Sequence, residues 1–185
     1  MRRLATGIVP RRRLKQIKSN IVPDCVIEFA VIREGAIIPS KRNCDFGYDL
    51  YACFDQEQVI IKPGEIKIIS TGIISAFSEN YGCLIEERGS TGTKGLAVRA
   101  GVFDSNYRGE WLVPINNTTE KMIVICKDES KVRETADIMY YPYKKAIAQV
   151  CFFVNPRMKV VERSEEEILG RVSVRGEGRL GSSGK

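Results

Sequence analysis

With 185 residues and 43% apolar content, the chain can build one packed domain, and neither a disordered chain nor a membrane-inserted one is indicated. The net charge of +6 is concentrated in residues 1–23, where Arg2, Arg3, Arg11, Arg12, Arg13, Lys15 and Lys18 stand without an acid, leaving −1 for the rest. The count of histidines is zero, which excludes Ser-His-Asp and Cys-His catalysis and most zinc sites, and the lack of a Cys-x-x-Cys pair excludes zinc-dependent nucleobase deamination.

The basic stretch 1–23 contains Gly7, Pro10 and Pro23 and reads as a flexible tail. By charge it suits weak contact with nucleic acid or an acidic protein, whereas the near-neutral body does not. No apolar run is long enough to span a bilayer and no signal-peptide core follows the arginines, so the expected location is cytoplasmic, without a membrane partner.

From residue 26 short apolar or alternating runs predict strands at 26–32, 59–61, 66–74, 83–85, 96–98, 111–115, 122–126, 146–154 and 159–161. Turn formers such as Lys62-Pro63-Gly64 and Asn155-Pro156 separate them. Many short strands without a long helical period predict an all-β fold, a sandwich, jelly roll or barrel. Residues 127–143, charged and then aromatic, interrupt this rhythm as an insertion in a domain spanning 24–170. Ser164 and Glu167 stand at capping-box spacing and predict one helical turn. Residues 171–185 then form a Gly-rich arm. The six cysteines lack a Cys-x-x-Cys pair and read as reduced core residues.

Three stretches carry chemistry. Residues 100–112 combine an apolar approach, Asp104, the turn formers Ser105-Asn106 and a return through Trp111, predicting a β-hairpin with a carboxylate at its rim. Upstream, Glu87-Arg88-Gly89-Ser90-Thr91-Gly92-Thr93-Lys94-Gly95 reads as a flexible loop whose backbone donors and two cations suit phosphate oxygens. It does not satisfy the Walker pattern around Lys94. The arm spells Gly176-x-Gly178-x-x-Gly181, but only four residues follow, too few for the helix that a dinucleotide fingerprint requires. A phosphate cradle with a carboxylate points to phosphate-ester hydrolysis.

Taken together these stretches resemble the homotrimeric dUTPase family, from about Val26 to Gly184. Gly47-Tyr48-Asp49-Leu50-Tyr51-Ala52 resembles its first motif, Arg88-Gly89-Ser90 through Lys94 the second, and Gly101 through Glu110 the third. Ala146-Ile147-Ala148-Gln149-Val150 resembles the fourth, and Arg175 through Gly184 the fifth. The resemblance implies a jelly-roll-like fold, a homotrimer with a flexible C-terminal arm, and Mg²⁺-dependent hydrolysis of dUTP to dUMP and pyrophosphate.

It also implies roles. Asp104 activates the water, and Asp49 holds Mg²⁺ through water. Arg88, Gly89, Ser90, Lys94 and Gln149 belong to the phosphate-binding motifs. Gly101, Tyr107 and Leu112 belong to the stretch that takes the uracil and deoxyribose, and Arg175, Leu180, Ser182 and Ser183 to the arm that closes over the substrate. Motifs one, two and four would come from one subunit, the third from a second and the arm from another. Gly89, Leu180 and Arg179 depart from the family, which usually has serine, phenylalanine and glycine there. Two rival readings are a dCTP deaminase, which usually lacks the Gly-rich fifth motif, and a regulatory protein-binding module on the same scaffold.

Overall fold

The computed structural model describes residues 26–131, 135–174 and 176–177. The tail 1–23, with Arg175, Arg179, Leu180, Ser182 and Ser183, lies outside them.

In chain order the strands are β1 Ile27–Val31, β2 Tyr48–Leu50, β3 Gln58–Ile61, β4 Ile66–Ser70, β5 Ile73–Phe77 and β6 Tyr81–Glu86. A helical turn α1, Gly89–Gly92, precedes β7 Leu96–Val98, β8 Val102–Phe103, β9 Leu112–Asn117 and β10 Met122–Cys126. Strands β11 Ile138–Pro142 and β12 Ala148–Val154 and the helix α2 Glu165–Leu169 complete the order. The strands form four sheets, ordered β1-β5, β11-β10-β3, β2-β12-β6-β8 and β4-β9-β7. The architecture is all-β, as predicted.

Alternation along the strands directs one set of side chains inward. Leu50, Ile61, Ile73, Leu96, Val113, Ile115, Ile123, Ile125, Ile147 and Val150 are fully buried around Trp111 and Tyr141. Strand β9 shows this plainly, with Val113, Ile115 and Asn117 buried and their neighbours more open. Phe103 and Phe29 pack against the Trp111 indole at 4.8 and 5.5 Å between ring centroids.

Several sequence expectations change. The run 66–74 divides into β4 and β5, because Gly72 takes φ +69 and turns the chain. Residues 159–161 pair with no strand among the described residues, and Val160 is 95% exposed. The interrupting stretch 127–143 contains β11, which lies parallel to β10 with Met122 opposite Ile138. The expected hairpin at 100–112 does not exist as a strand pair. Strand β8 pairs with β6, whereas β9 pairs with β4 and β7, so residues 104–111 form a bridge between two sheets. Of the described cysteines, Cys53, Cys83, Cys126 and Cys151 are buried, but Cys44 is exposed. The helical turn is capped as predicted: Ser164 Oγ accepts from Glu167 N at 3.2 Å, and Ser164 N donates to Glu167 Oε2 at 3.0 Å.

Candidate active site

Strand β12 aligns the first group of predicted residues. Gln149 lies opposite Asp49 of β2 on one side and opposite Glu86 of β6 on the other. Asp49 N donates to Ser40 O at 2.8 Å, which fixes the approach to β2. Gln149 Nε2 donates to Glu87 O at 2.8 Å, so the amide lies against the chain just before Arg88. Gly47 backs onto this amide closely enough that a Cβ would strike Gln149 Oε1.

Arg88 follows β6 and begins α1. The expected flexible loop is therefore partly a helical turn, closed by Thr91 N and Gly92 N donating to Arg88 O at 2.9 and 2.8 Å. The Arg88 guanidinium turns onto Asp49, with Nε 2.7 Å from Oδ1 and Nη2 3.3 Å from Oδ2. Its Nη1 donates to Ser90 Oγ and to Ala146 O, each at 3.3 Å. That same carbonyl accepts from the buried Tyr141 hydroxyl at 2.7 Å. Neighbouring Glu87 does not pair with Arg88, since its Oε1 accepts from Val98 N at 2.7 Å.

Asp49, Arg88, Gly89, Ser90 and Gln149 thus line one open, polar groove of about 910 Å³. Its other wall is the loop Ser40–Gly47, of which the motifs include only Gly47, although Lys41 and Arg42 announce charge beside Asp49. Arg42 donates to Asp45 at 2.8 and 3.1 Å, and this hydrogen bonding holds the Asp45 carboxyl below its usual range. A Cβ at Gly89 would meet nothing within 4 Å.

The other predicted residues stand elsewhere in the chain. Asp104 follows β8 and lines a separate cleft with Gly82, Phe103, Phe153 and Val154. Its carboxylate has no hydrogen bond or ion pair among the described residues. Gly101 O accepts from Ile85 N at 2.7 Å, and a Cβ at Gly101 would strike Ile85 O. The Tyr107 hydroxyl donates to Glu110 O at 3.1 Å while its ring meets Phe103 edge-on. Leu112 begins β9 opposite Ser70. Lys94 lines a third cleft with Thr118, Thr119 and Asp137.

Sheet order explains the separation. Asp49 lies on the β2 edge and Asp104 just beyond the β8 edge of the sheet β2-β12-β6-β8. Three strand spacings, about 14 Å, divide these edges. Within one chain the two carboxylates therefore stand at opposite edges of this sheet and line separate clefts.

The donor set also limits how a metal could be held. The described residues contain no group of three or more Cys, Asp or Glu side chains placed to hold an ion. Asp49 is a single carboxylate, 34% exposed and already engaged by Arg88. This suits Mg²⁺, which retains waters and binds through one or two carboxylates plus substrate phosphates, but not an all-protein cage.

A sequence model of the dUTPase family matches residues 33–184. The deoxyuridine 5'-triphosphate nucleotidohydrolase of Psychrobacter sp. is 32% identical over 143 residues, covering 75% of this chain and 80% of that one. The Pol polyprotein of caprine arthritis encephalitis virus is 31% identical over 100 residues, covering 54% of this chain. This chain spans only 9% of that polyprotein, and 56% of the matching nucleotidohydrolase of Leptospira interrogans.

Among solved structures, the dUTPase of Staphylococcus bacteriophage 80alpha with dUPNHPP has a TM-score of 0.64 at 25% identity, covering 86% of this chain and 99% of that one. A mutant dUTPase of S. aureus phage phi11, described with a coordinated structural Mg(II) ion, has a TM-score of 0.57 at 22% identity, covering 76% and 99%. At that identity the second likeness is one of fold. Among the described residues no helix is long and apolar enough to cross a membrane. The match over residues 33–184 and the agreement in fold lead to one assignment: this chain belongs to the dUTPase family.

Proposed function

We propose that the protein hydrolyses dUTP to dUMP and pyrophosphate, as a homotrimer with Mg²⁺ as cofactor. The observation that carries this reading is the groove in which Asp49, Arg88, Ser90 and Gln149 stand together, a carboxylate beside phosphate-type donors. Arg88 presents a planar fork that suits phosphate oxygens, with Ser90 Oγ and the Gln149 amide beside it. Asp49 would hold the metal through coordinated waters. Bound Mg²⁺ supplies charge neutralisation along the triphosphate.

Asp104 completes the reaction from a neighbouring subunit. Its carboxylate orients a water and accepts its proton as the water oxygen bonds to the α-phosphorus. The bond from that phosphorus to the bridging oxygen breaks, and pyrophosphate leaves. Tyr107 packs under the deoxyribose, and the backbone from Gly101 to Leu112 reads the uracil edge. Arg175, Ser182 and Ser183 close over the phosphates, with Leu180 over the base. The sheet-wide separation of Asp49 from Asp104 within one chain supports a site shared between subunits. Such a ring uses one heterologous contact repeated around an axis.

The decisive test is incubation with each deoxynucleoside triphosphate and Mg²⁺, with products separated by ion exchange. Selective conversion of dUTP to dUMP and pyrophosphate is expected. Deamination of dCTP, or nucleotide binding without turnover, would replace this reading by one of its rivals.

A further inference from the structure

The bridge 104–111 is clamped at both ends. At its entry β8 pairs with β6, Phe103 opposite Cys83, and just ahead of β8 Ala100 takes φ 49, a left-handed conformation that costs an alanine strain and persists only where the surroundings impose it. Gly101 follows, pressed against the Ile85 carbonyl. At its exit Trp111 N donates to Ile73 O at 2.9 Å, Thr71 Oγ1 donates to Trp111 O at 2.6 Å, and the indole N–H donates to Ser75 Oγ at 3.0 Å. Just before Trp111 stands Glu110, a carboxylate to which the proposed chemistry gives no role.

Glu110 is 21% exposed at its side chain. Its Oε1 accepts from Gly72 N at 2.8 Å and from the Ser70 hydroxyl, while Oε2 lies 4.0 Å from Arg33 Nη2. These donors belong to the β4–β5 corner, in sheets that do not include β8. The corner is itself closely packed: Gly72 is boxed by Ala36, Arg33 and Cys53, its carbonyl accepts from Ile32 N at 2.8 Å, and Arg33 Nη1 donates to Asp55 at 2.7 Å. The backbone carbonyl of Glu110 also receives the Tyr107 hydroxyl. One residue therefore joins the bridge to this corner through its side chain and accepts from Tyr107 through its backbone.

We propose that Glu110 is a positioning residue for hydrolysis, setting where Asp104 and Tyr107 stand relative to the substrate held by the neighbouring subunit. This rests on reading Asp104 as the water-activating group. A carboxylate suits the task because one oxygen accepts two hydrogen bonds with charge assistance, and its loss leaves a largely buried N–H and hydroxyl without an acceptor. A glutamine preserves one acceptor oxygen but not the charge. Displacements near 1 Å at a reacting group can cost on the order of 10²-fold in rate.

The test compares Glu110→Ala, Glu110→Gln and Ser70→Ala with Glu65→Ala in steady-state dUTP hydrolysis. Binding of a non-hydrolysable α,β-imido dUTP and thermal melting are measured on the same samples. Glu65 is a control, since its carboxylate also closes a turn, accepting from Lys62 N at 2.8 Å, but far from the bridge. Glu110→Ala is expected to lower kcat by roughly 10–100-fold with a much smaller change in KM and analogue affinity. Glu110→Gln and Ser70→Ala should show the same kcat-dominated loss at smaller size, and Glu65→Ala should lose thermal stability only.

A kcat for the Glu110 variants equal to that of Glu65→Ala overturns the proposal. Should Glu110→Ala fail to fold, unchanged kcat in both Glu110→Gln and Ser70→Ala does the same. Asp104→Asn is measured alongside: if it is inactive while the Glu110 variants are normal, only the positioning role falls. If Asp104→Asn retains normal kcat, the reading of Asp104 falls and takes this role with it.

Discussion

Arg88 grips Asp49 through two contacts, Nε to Oδ1 at 2.7 Å and Nη2 to Oδ2 at 3.3 Å, so the proposed phosphate fork and the proposed metal holder occupy each other. With 26% and 34% of their side chains exposed, the pair is one that solvent screens, worth about 0–1 kcal/mol. It can open when phosphate oxygens take Arg88 and the ion's waters take Asp49. Mg²⁺ alone should therefore bind weakly and a non-hydrolysable dUTP analogue should strengthen it. Arg88→Ala should tighten metal binding without nucleotide while raising KM for dUTP by tenfold or more, about 1.4 kcal/mol. Titration with Mn²⁺ followed by its paramagnetic signal checks the first part; equal metal affinity in wild type and Arg88→Ala would rule the exchange out.

Gly89 leaves open space where a side chain would project, although it stands between two residues assigned to phosphate. Gly89→Ser should fold normally, as expected for an exposed site, within about 0.5 kcal/mol of wild-type stability. A serine hydroxyl there would add one hydrogen bond to a charged oxygen. KM for dUTP should fall by roughly 3–10-fold if about half of a typical charged hydrogen bond of 1.5–3 kcal/mol is realised. An unchanged KM would show that residue 89 does not face the substrate.

Cys83 lies beneath the Asp104 bridge, and burial, then the Asp104 charge, pushes its thiol up to about 12 from an ordinary 9.0. The protonated thiol is favoured in the fold, so its contribution is fully present below pH 9 and is lost as pH rises through 12. Cys151 shifts in the same direction through burial and the nearby Glu86. Urea melts between pH 7 and 11 should show wild-type stability declining more steeply than that of Cys83→Ala. The variant's overall level will be lower because it leaves a cavity; the difference in slope is the test, and parallel curves would count against the assignment.

The strands that sequence reveals are those that carry an uninterrupted apolar run. Strand β10 announces itself through Met122-Ile123-Val124-Ile125 and β7 through Leu96-Ala97-Val98, whereas β8 has two residues and β2 is broken by the charge of Asp49. Strand β11 hides behind the charged run that precedes it. An apolar period also says which face seeks a partner without saying whether the same chain provides it, which is why residues 159–161 read as a strand while Val160 stands 95% exposed. The groove was legible for a related reason. Asp49, Arg88 and Gln149 each sit within a short run of characteristic neighbours, but their distance from Asp104 depends on the order β2-β12-β6-β8, which is set by pairing between remote segments. Glu110 stands at the end of the third motif, but no role for it is legible there, because its donors Ser70 and Gly72 lie some forty residues away.

A site divided between subunits makes a quantitative prediction that no single-chain site shares. Asp49→Asn and Asp104→Asn should each be inactive as pure proteins, the first lacking the metal holder and the second the water-activating group. Combined in one ring, they can restore each other. A site that takes its Asp49 groove from an Asp104→Asn subunit and its bridge from an Asp49→Asn subunit contains both native carboxylates. If each site draws its two contributors at random from an equal mixture, roughly a quarter of sites will be intact. The two variants should be co-expressed with different affinity tags, the mixed assemblies captured on both tags in turn, and dUTP turnover measured against wild type. Every ring of three that contains both variants holds one intact site, so the doubly captured fraction should reach about a third of wild-type kcat. Activity that stays at the level of the pure variants would place both carboxylates in one chain's site, against the distance that the width of the sheet puts between them.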